Sequence, residues 1–135
     1  MVFYTIMPVG ADPQSANKKA ILERVATELG LTPHFPYEKG KTVAFDINST
    51  LSALKHSDFV LADLSMERPS CYFELGLAQA IGKHVYLIAR KNTDIHQADR
   101  RNLTHFYTDL ESYAEVVSRV LKEAKDARHP VRLRA

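Results

Sequence analysis

The stretch FVLADLSMERPSCYFELGLAQAIGKHVYLIA, residues 59–89, decides the fold. FVLADL (59–64) is short and apolar almost throughout, as expected of a parallel strand covered on both faces. SCYFELGLAQAIGK (70–83) follows as a helix with a stop near Gly82, and HVYLIA (84–89) reads as a second buried strand. A strand, a helix and another strand in so few residues imply a right-handed crossover within a parallel sheet. Inside this unit an acid, Glu74, stands among Tyr72, Phe73, Leu75 and Leu77, where the strand hands over to the helix.

The alternation continues outward in both directions. VFYTIM (2–7), ended by Pro8 and Gly10, is a first buried strand. SANKKAILERVATELG (15–30) places Ala20, Ile21, Val25, Ala26 and Leu29 on one helical face, with Gly30 as its stop. The two prolines of LTPHFP (31–36) confine that segment to a sheet edge or a strand end. AFDINSTLSALKHSD (44–58) repeats Ile47, Leu51 and Leu54 at helical spacing. LTHFYT (103–108) is a fifth strand, and DLESYAEVVSRVLKEAKDA (109–127) an amphipathic helix capped by Asp109. The prediction is an α/β fold: a flavodoxin-like or Rossmann-like three-layer sandwich around a five-stranded parallel sheet. Residues 1–127 form one domain, and 128–135 a C-terminal tail that frays or packs on a partner.

Composition narrows the function classes. The 135 residues carry 18 basic and 16 acidic side chains, a balance too even to argue for a nucleic-acid binder. Cys71 is the single cysteine, which excludes an internal disulfide and argues against a thiolate metal site. No apolar run reaches the roughly 18–20 residues that span a bilayer, and MVFYTIMPVG lacks the basic flank and cleavage site of a signal peptide. The expected location is therefore the cytoplasm, with no membrane partner.

In an open parallel sheet, ligands bind beyond the carboxyl ends of the strands, where the strand order reverses. MPVGAD, after the first strand, and DLSMERPS, after the third, should flank that crevice, with ARKNTD a third nearby segment. Glu74 has two readings there. It can be a helix-start residue stabilised by about 0.3–1 kcal/mol through the helix dipole, although a capping box would need Ser or Thr where Cys71 stands. It can instead be a nucleophile or general base in a partly desolvated pocket walled by Tyr72 and Phe73. Asp63 at the end of the third strand is either a second site carboxylate or a turn cap. Ser65 and Ser70 can bind sugar or phosphate near the helix N-terminus or serve as turn residues. Arg68 lies in the crevice loop, where it could meet a phosphate.

The run ADLSMERPSCYFELGLAQAIGKHVYLIA resembles the signature of the nucleoside 2-deoxyribosyltransferase-like superfamily, and FELGLAQAIGK is its most specific part. YTIMPVG, LSALKHSD and DRRNLTHFYTD extend the resemblance over most of the domain. It implies that Glu74 attacks the anomeric carbon of a nucleoside or nucleotide and forms a covalent glycosyl ester. It further implies that Met7, Pro8, Val9 and Gly10 border base and sugar, and that Gly76 permits close approach to the helix or tight helix packing. Asp46 lies about one turn before the position, near Thr50, where the family carries a base-binding Asp. Asp63 would bind sugar hydroxyls or orient Glu74, and Tyr4 would belong to the core. The resemblance implies a homo-oligomer and no metal or organic cofactor. The family's Asn after Pro is Ser70 here, and its Tyr before the Glu is Phe73; these departures motivate a rival reading as a non-catalytic nucleotide-binding sensor. SMERPSCYFEL also resembles the Ser, Cys and Glu pattern of TIR domains, which would make the substrate NAD.

Other signals are weaker. The histidines at 34, 56, 84, 96, 105 and 129 lack metal-ligand spacing, and GADPQSANKK lacks the full Walker pattern. A response-regulator reading needs acids after the first strand, and YTIMPVG has none. Lys18, Lys19, Lys91, Arg100 and Arg101 read as solvated side chains or phosphate partners.

Overall fold

A computed structural model describes residues 1–36 and 45–128; the predicted tail, Arg128 excepted, lies outside the described residues. Five strands form one parallel sheet: β1 (Val2–Ile6), β2 (Thr32–His34), β3 (Phe59–Asp63), β4 (Val85–Arg90) and β5 (His105–Tyr107). Their order is β2-β1-β3-β4-β5, so β2 is the proline-bearing edge strand that the sequence predicts. Among the described residues there are four α-helices: α1 (Ser15–Glu28), α2 (Ile47–Lys55), α3 (Pro69–Ala80) and α4 (Leu110–Arg128). The result is the expected three-layer α/β sandwich.

Because strand side chains alternate between faces, β1 and β3 each feed two cores. Phe3, Phe59 and Leu61 join Leu22, Val25, Val117 and Leu121 under α1 and α4. Tyr4, Ile6, Val60 and Ala62 join Leu54 and Leu75 under α2 and α3. Fully buried side chains such as Leu61 and Leu75 contribute about 1.5–3 kcal/mol each, so both layers are firmly seated.

The helix ends follow local chemistry. Gly30 takes φ +71° after α1, and Leu31 N–H returns to Ala26 O at 2.8 Å, a Schellman closure. Gly82 closes α3 in the same way. Asp109 caps α4 as expected, its Oδ1 accepting from Ser112 N at 2.8 Å.

Two helical faces differ from their predicted phase. On α1 the inward stripe is Lys18, Leu22, Val25 and Ala26, while Ala20 is exposed. Lys18 is only 5% exposed, which corrects its reading as a solvated side chain: a buried ammonium stands on the inward face of α1. On α2, Leu54 is buried but Ile47 is 44% exposed.

The strand order reverses between β1, whose next strand lies on one side, and β3, which lies on the other. This switch point sets the crevice between the segments after β1 and β3.

Candidate active site

A cavity of about 350 Å³ opens at that crevice. Met7, Val9 and Gly10 line it from the end of β1 and the loop beyond. Ser70, Cys71 and Glu74 line it from α3, and Phe35 and Pro36 from the segment after β2. Pro8 is buried and is not among the lining residues.

Glu74 is the sixth residue of α3 and 3% exposed. At 1.5 Å rise per residue it lies in the second turn, beyond the end groups that a cap would satisfy and beyond the reach of most dipole stabilisation. The cap reading therefore loses its physical basis. Instead the Tyr4 phenol, fully buried on β1, donates to Glu74 Oε2 at 3.0 Å. Tyr4 belongs to the core, as expected, and also orients the acid. No sequence signal marks this second role, because alternation puts Tyr4 on the α3 face without naming its partner.

Cys71, one turn before Glu74, lines the same cavity. Burial first, and then the negative charges of Glu74 and Asp63, push its thiol up to about 12. It is a protonated thiol at neutral pH and supplies no nucleophile. Among the described residues of the lining, that leaves Glu74 as the ionisable group fit for covalent or acid–base work.

Asp63 is buried at 2% exposure but belongs to a different arrangement and is not among the lining residues. Its Oδ1 accepts from Ser65 N at 3.0 Å, the turn-cap geometry, and its Oδ2 accepts from Tyr107 Oη at 2.7 Å. Lys18 Nζ lies 3.9 Å from the same oxygen and 2.6 Å from Asp12. Burial raises the Asp63 pKa, opposed by Lys18 and by these hydrogen bonds. Ser65 is buried in the same cluster, taking Arg90 N–H at 2.7 Å. Asp12 is thus an acid after β1, a little beyond YTIMPVG, which the sequence reading passed over. The enclosed oxygens of Asp63 leave no opening for a phosphoryl acceptor.

The remaining predicted residues separate further. Asp46 is the N-cap of α2, its Oδ2 accepting from Ser49 N and Oγ; the side-chain hydrogen bond from Ser49 lowers its pKa. Gly76 is exposed, and a Cβ there would meet nothing within 4 Å among the described residues, so tight helix packing does not explain it. Arg68 is exposed at the N-cap of α3. Met66 and Glu67 in the crevice turn hold φ of 67° and 46°, unusual for side-chain-bearing residues. Glu67 accepts from Tyr72 Oη at 3.0 Å and contacts His96 Nδ1, which braces this turn against the loop after β4. Among the described residues, no group of three or more His, Cys, Asp or Glu is placed to hold a metal. None of their helices is long and apolar enough to cross a membrane.

No family model and no curated protein matches this chain. Solved structures do. The CMP N-glycosidase BcmB of Clostridium botulinum superposes with a TM-score of 0.60 at 16% identity, covering 87% of this chain and 98% of that one. A 2-deoxyribosyltransferase from Bacillus psychrosaccharolyticus gives 0.59 at 19% identity, covering 82% and 88% respectively. At such identities the likeness is one of fold: this chain has the three-layer architecture of those two proteins.

Proposed function

We propose that the chain cleaves or exchanges the N-glycosidic bond of a nucleoside or nucleoside 5'-monophosphate. The observation that carries this reading is Glu74: a buried carboxylate beside a nucleoside-sized cavity, oriented by a phenol, at the switch point of the sheet. Neighbours of the same fold named as a CMP N-glycosidase and a 2-deoxyribosyltransferase favour it.

In this reading a Glu74 oxygen attacks the anomeric carbon, and the electrons of the C–N bond leave with the base, which takes up a proton. Water or a second base then attacks the same carbon, the ester bond breaks, and the carboxylate returns. Tyr4 holds Glu74 in its attacking position through the phenol hydrogen bond. Met7 and Phe35 offer apolar surface to the base, Gly10 admits a close approach, and Ser70 offers a hydroxyl to the sugar. Among the described residues no lysine or arginine lines the cavity. Lys19, 5.0 Å from the ring centroid of the lining residue Phe35, and exposed Arg68, two residues before the lining residue Ser70, are offered as partners for a 5'-phosphate. Asp63 acts indirectly, by shaping the turn that leads to α3. Homo-oligomerisation is part of the proposal: Phe45 and Phe73, packed edge to face with centroids 5.3 Å apart, leave exposed apolar surface beside α3 for a second copy.

The test is base release, followed by chromatography, from deoxynucleosides, ribonucleosides, their 5'-monophosphates and NAD, with and without an acceptor base. Release that needs Glu74 supports the reading, and acceptor dependence separates exchange from hydrolysis. Nicotinamide release from NAD alone would favour the TIR-like reading. Nucleotide binding without release would make the protein a sensor. Light scattering reads the oligomeric state.

A further inference from the structure

Lys18 and its partners form a buried polar cluster on the α1/α4 side of the sheet, opposite Glu74. The ammonium donates to Asp12 Oδ2 at 2.6 Å and to Tyr107 Oη at 2.7 Å. Tyr107 donates its single hydroxyl hydrogen to Asp63, so Ser65, 2.9 Å away, is the donor in its contact with Tyr107. The Ser65 oxygen in turn accepts from Arg90 N. Asp12 also receives Gln14 N–H at 2.8 Å, which fixes the turn into α1. Each of these groups has a partner, and Lys18, Asp12, Asp63, Ser65 and Tyr107 are all under 9% exposed.

The position of the cluster matters more than its existence. Asp12 ends the loop whose Val9 and Gly10 form one wall of the cavity, and Asp63 and Ser65 begin the turn that leads to Ser70 and Cys71 on the other wall. A single ammonium therefore ties the two walls from behind, directly at Asp12 and through the Tyr107 phenol at Asp63. Burying it costs desolvation that an apolar side chain at this position would not incur. An account based on fold stability alone leaves that cost unexplained.

We propose that Lys18 is a positioning residue that sets the separation of the two loops and hence the width of the cavity beside Glu74. Its kinetic consequence rests on the glycosidic reading given above. The experiment compares the native protein with Lys18→Met, Lys18→Arg and Asp12→Asn by amide hydrogen exchange and base-release kinetics. Asp12→Asn keeps the shape of the cluster and serves as the milder variant should Lys18→Met not fold. Lys18→Met and Asp12→Asn should raise exchange in residues 9–12 and 64–68 while β3 and β4 stay protected. The value of kcat/KM should fall on the order of 10–100-fold, the scale of a misplacement of about 1 Å, and Lys18→Arg should recover part of it. Unchanged exchange in the two loops, or an increase spread over the whole α1/α4 layer, overturns the proposal. So do loosened loops with unaltered kinetics in an active enzyme, or the failure of both Lys18→Met and Asp12→Asn to fold. If the native protein releases no base, the glycosidic reading fails, and exchange in the two loops alone decides the role of Lys18.

Discussion

Glu74 and Asp63 are both carboxylates at the crevice end of the sheet, and both are at most 3% exposed. They differ in what surrounds them. Asp63 is enclosed by a backbone amide, a phenol and a nearby ammonium, none of which lines the crevice cavity. Glu74 accepts from the Tyr4 phenol and also lines a cavity of about 350 Å³. A buried acid enclosed by its own protein serves architecture, whereas one that lines a cavity retains a surface for chemistry. Burial alone does not separate the two.

The largest effect expected from this contrast is on activity. Glu74→Gln should lower base release on the order of 10³-fold or more, as removal of a covalent nucleophile does. Its urea midpoint should change little, because Gln keeps the shape of the side chain and an oxygen that can accept from Tyr4. A variant that keeps full activity would end the nucleophile reading. Asp63→Ala should behave in the opposite way. Losing one partner of the buried cluster leaves Lys18 undercompensated, at about 3–5 kcal/mol of stability, read from urea unfolding. A loss below about 1 kcal/mol would mean that the cluster is not the architectural element described. Tyr4→Phe is intermediate. It should retain the fold and lower kcat by about 10- to 100-fold, the value of one hydrogen bond to a charged group. An equal loss in every substrate and no change in the pH profile of kcat/KM would argue that Tyr4 only packs.

Legibility in the sequence follows the same division. Strands such as FVLADL and helices such as that of residues 109–127 were readable because periodicity records burial directly. The crevice was readable too, since parallel topology fixes where loops gather, and Glu74 stood out as an acid in an apolar run. The Lys18 cluster was not. Its members lie at positions 12, 18, 63, 65 and 107, and no spacing in the chain pairs them with one another. The available clue was spacing: Lys18 shares a face with Leu22 and Val25, yet hydrophobicity assigned the inward stripe to Ala20 instead. Asp46 and Asp63 show the converse, since both read as candidate site acids while their structural roles are a cap and a turn. Sequence supplies chemistry at a position, and only the fold supplies its partner.

A third acid in the crevice carries the contrast to its exposed limit. Glu67 joins Tyr72 and His96 at the surface, with His96 65% exposed in its side chain. The hydrogen bond to Glu67 and then its charge raise the His96 pKa above its ordinary 6.5. The protonated ring is therefore favoured in the folded state. Its contribution is fully present below the unfolded value and is lost as pH rises through the folded one. His96→Gln should accordingly loosen residues 94–98 in amide exchange at about pH 6, and much less above about pH 8. Added salt should shrink the difference at low pH, as it does for solvent-exposed pairs. Because water already screens this pair, base release should hardly change. A His96 effect on the loop that is independent of pH would mean that the brace rests on the His96 backbone bond to Tyr72, 3.2 Å long, rather than on the ring and the carboxylate.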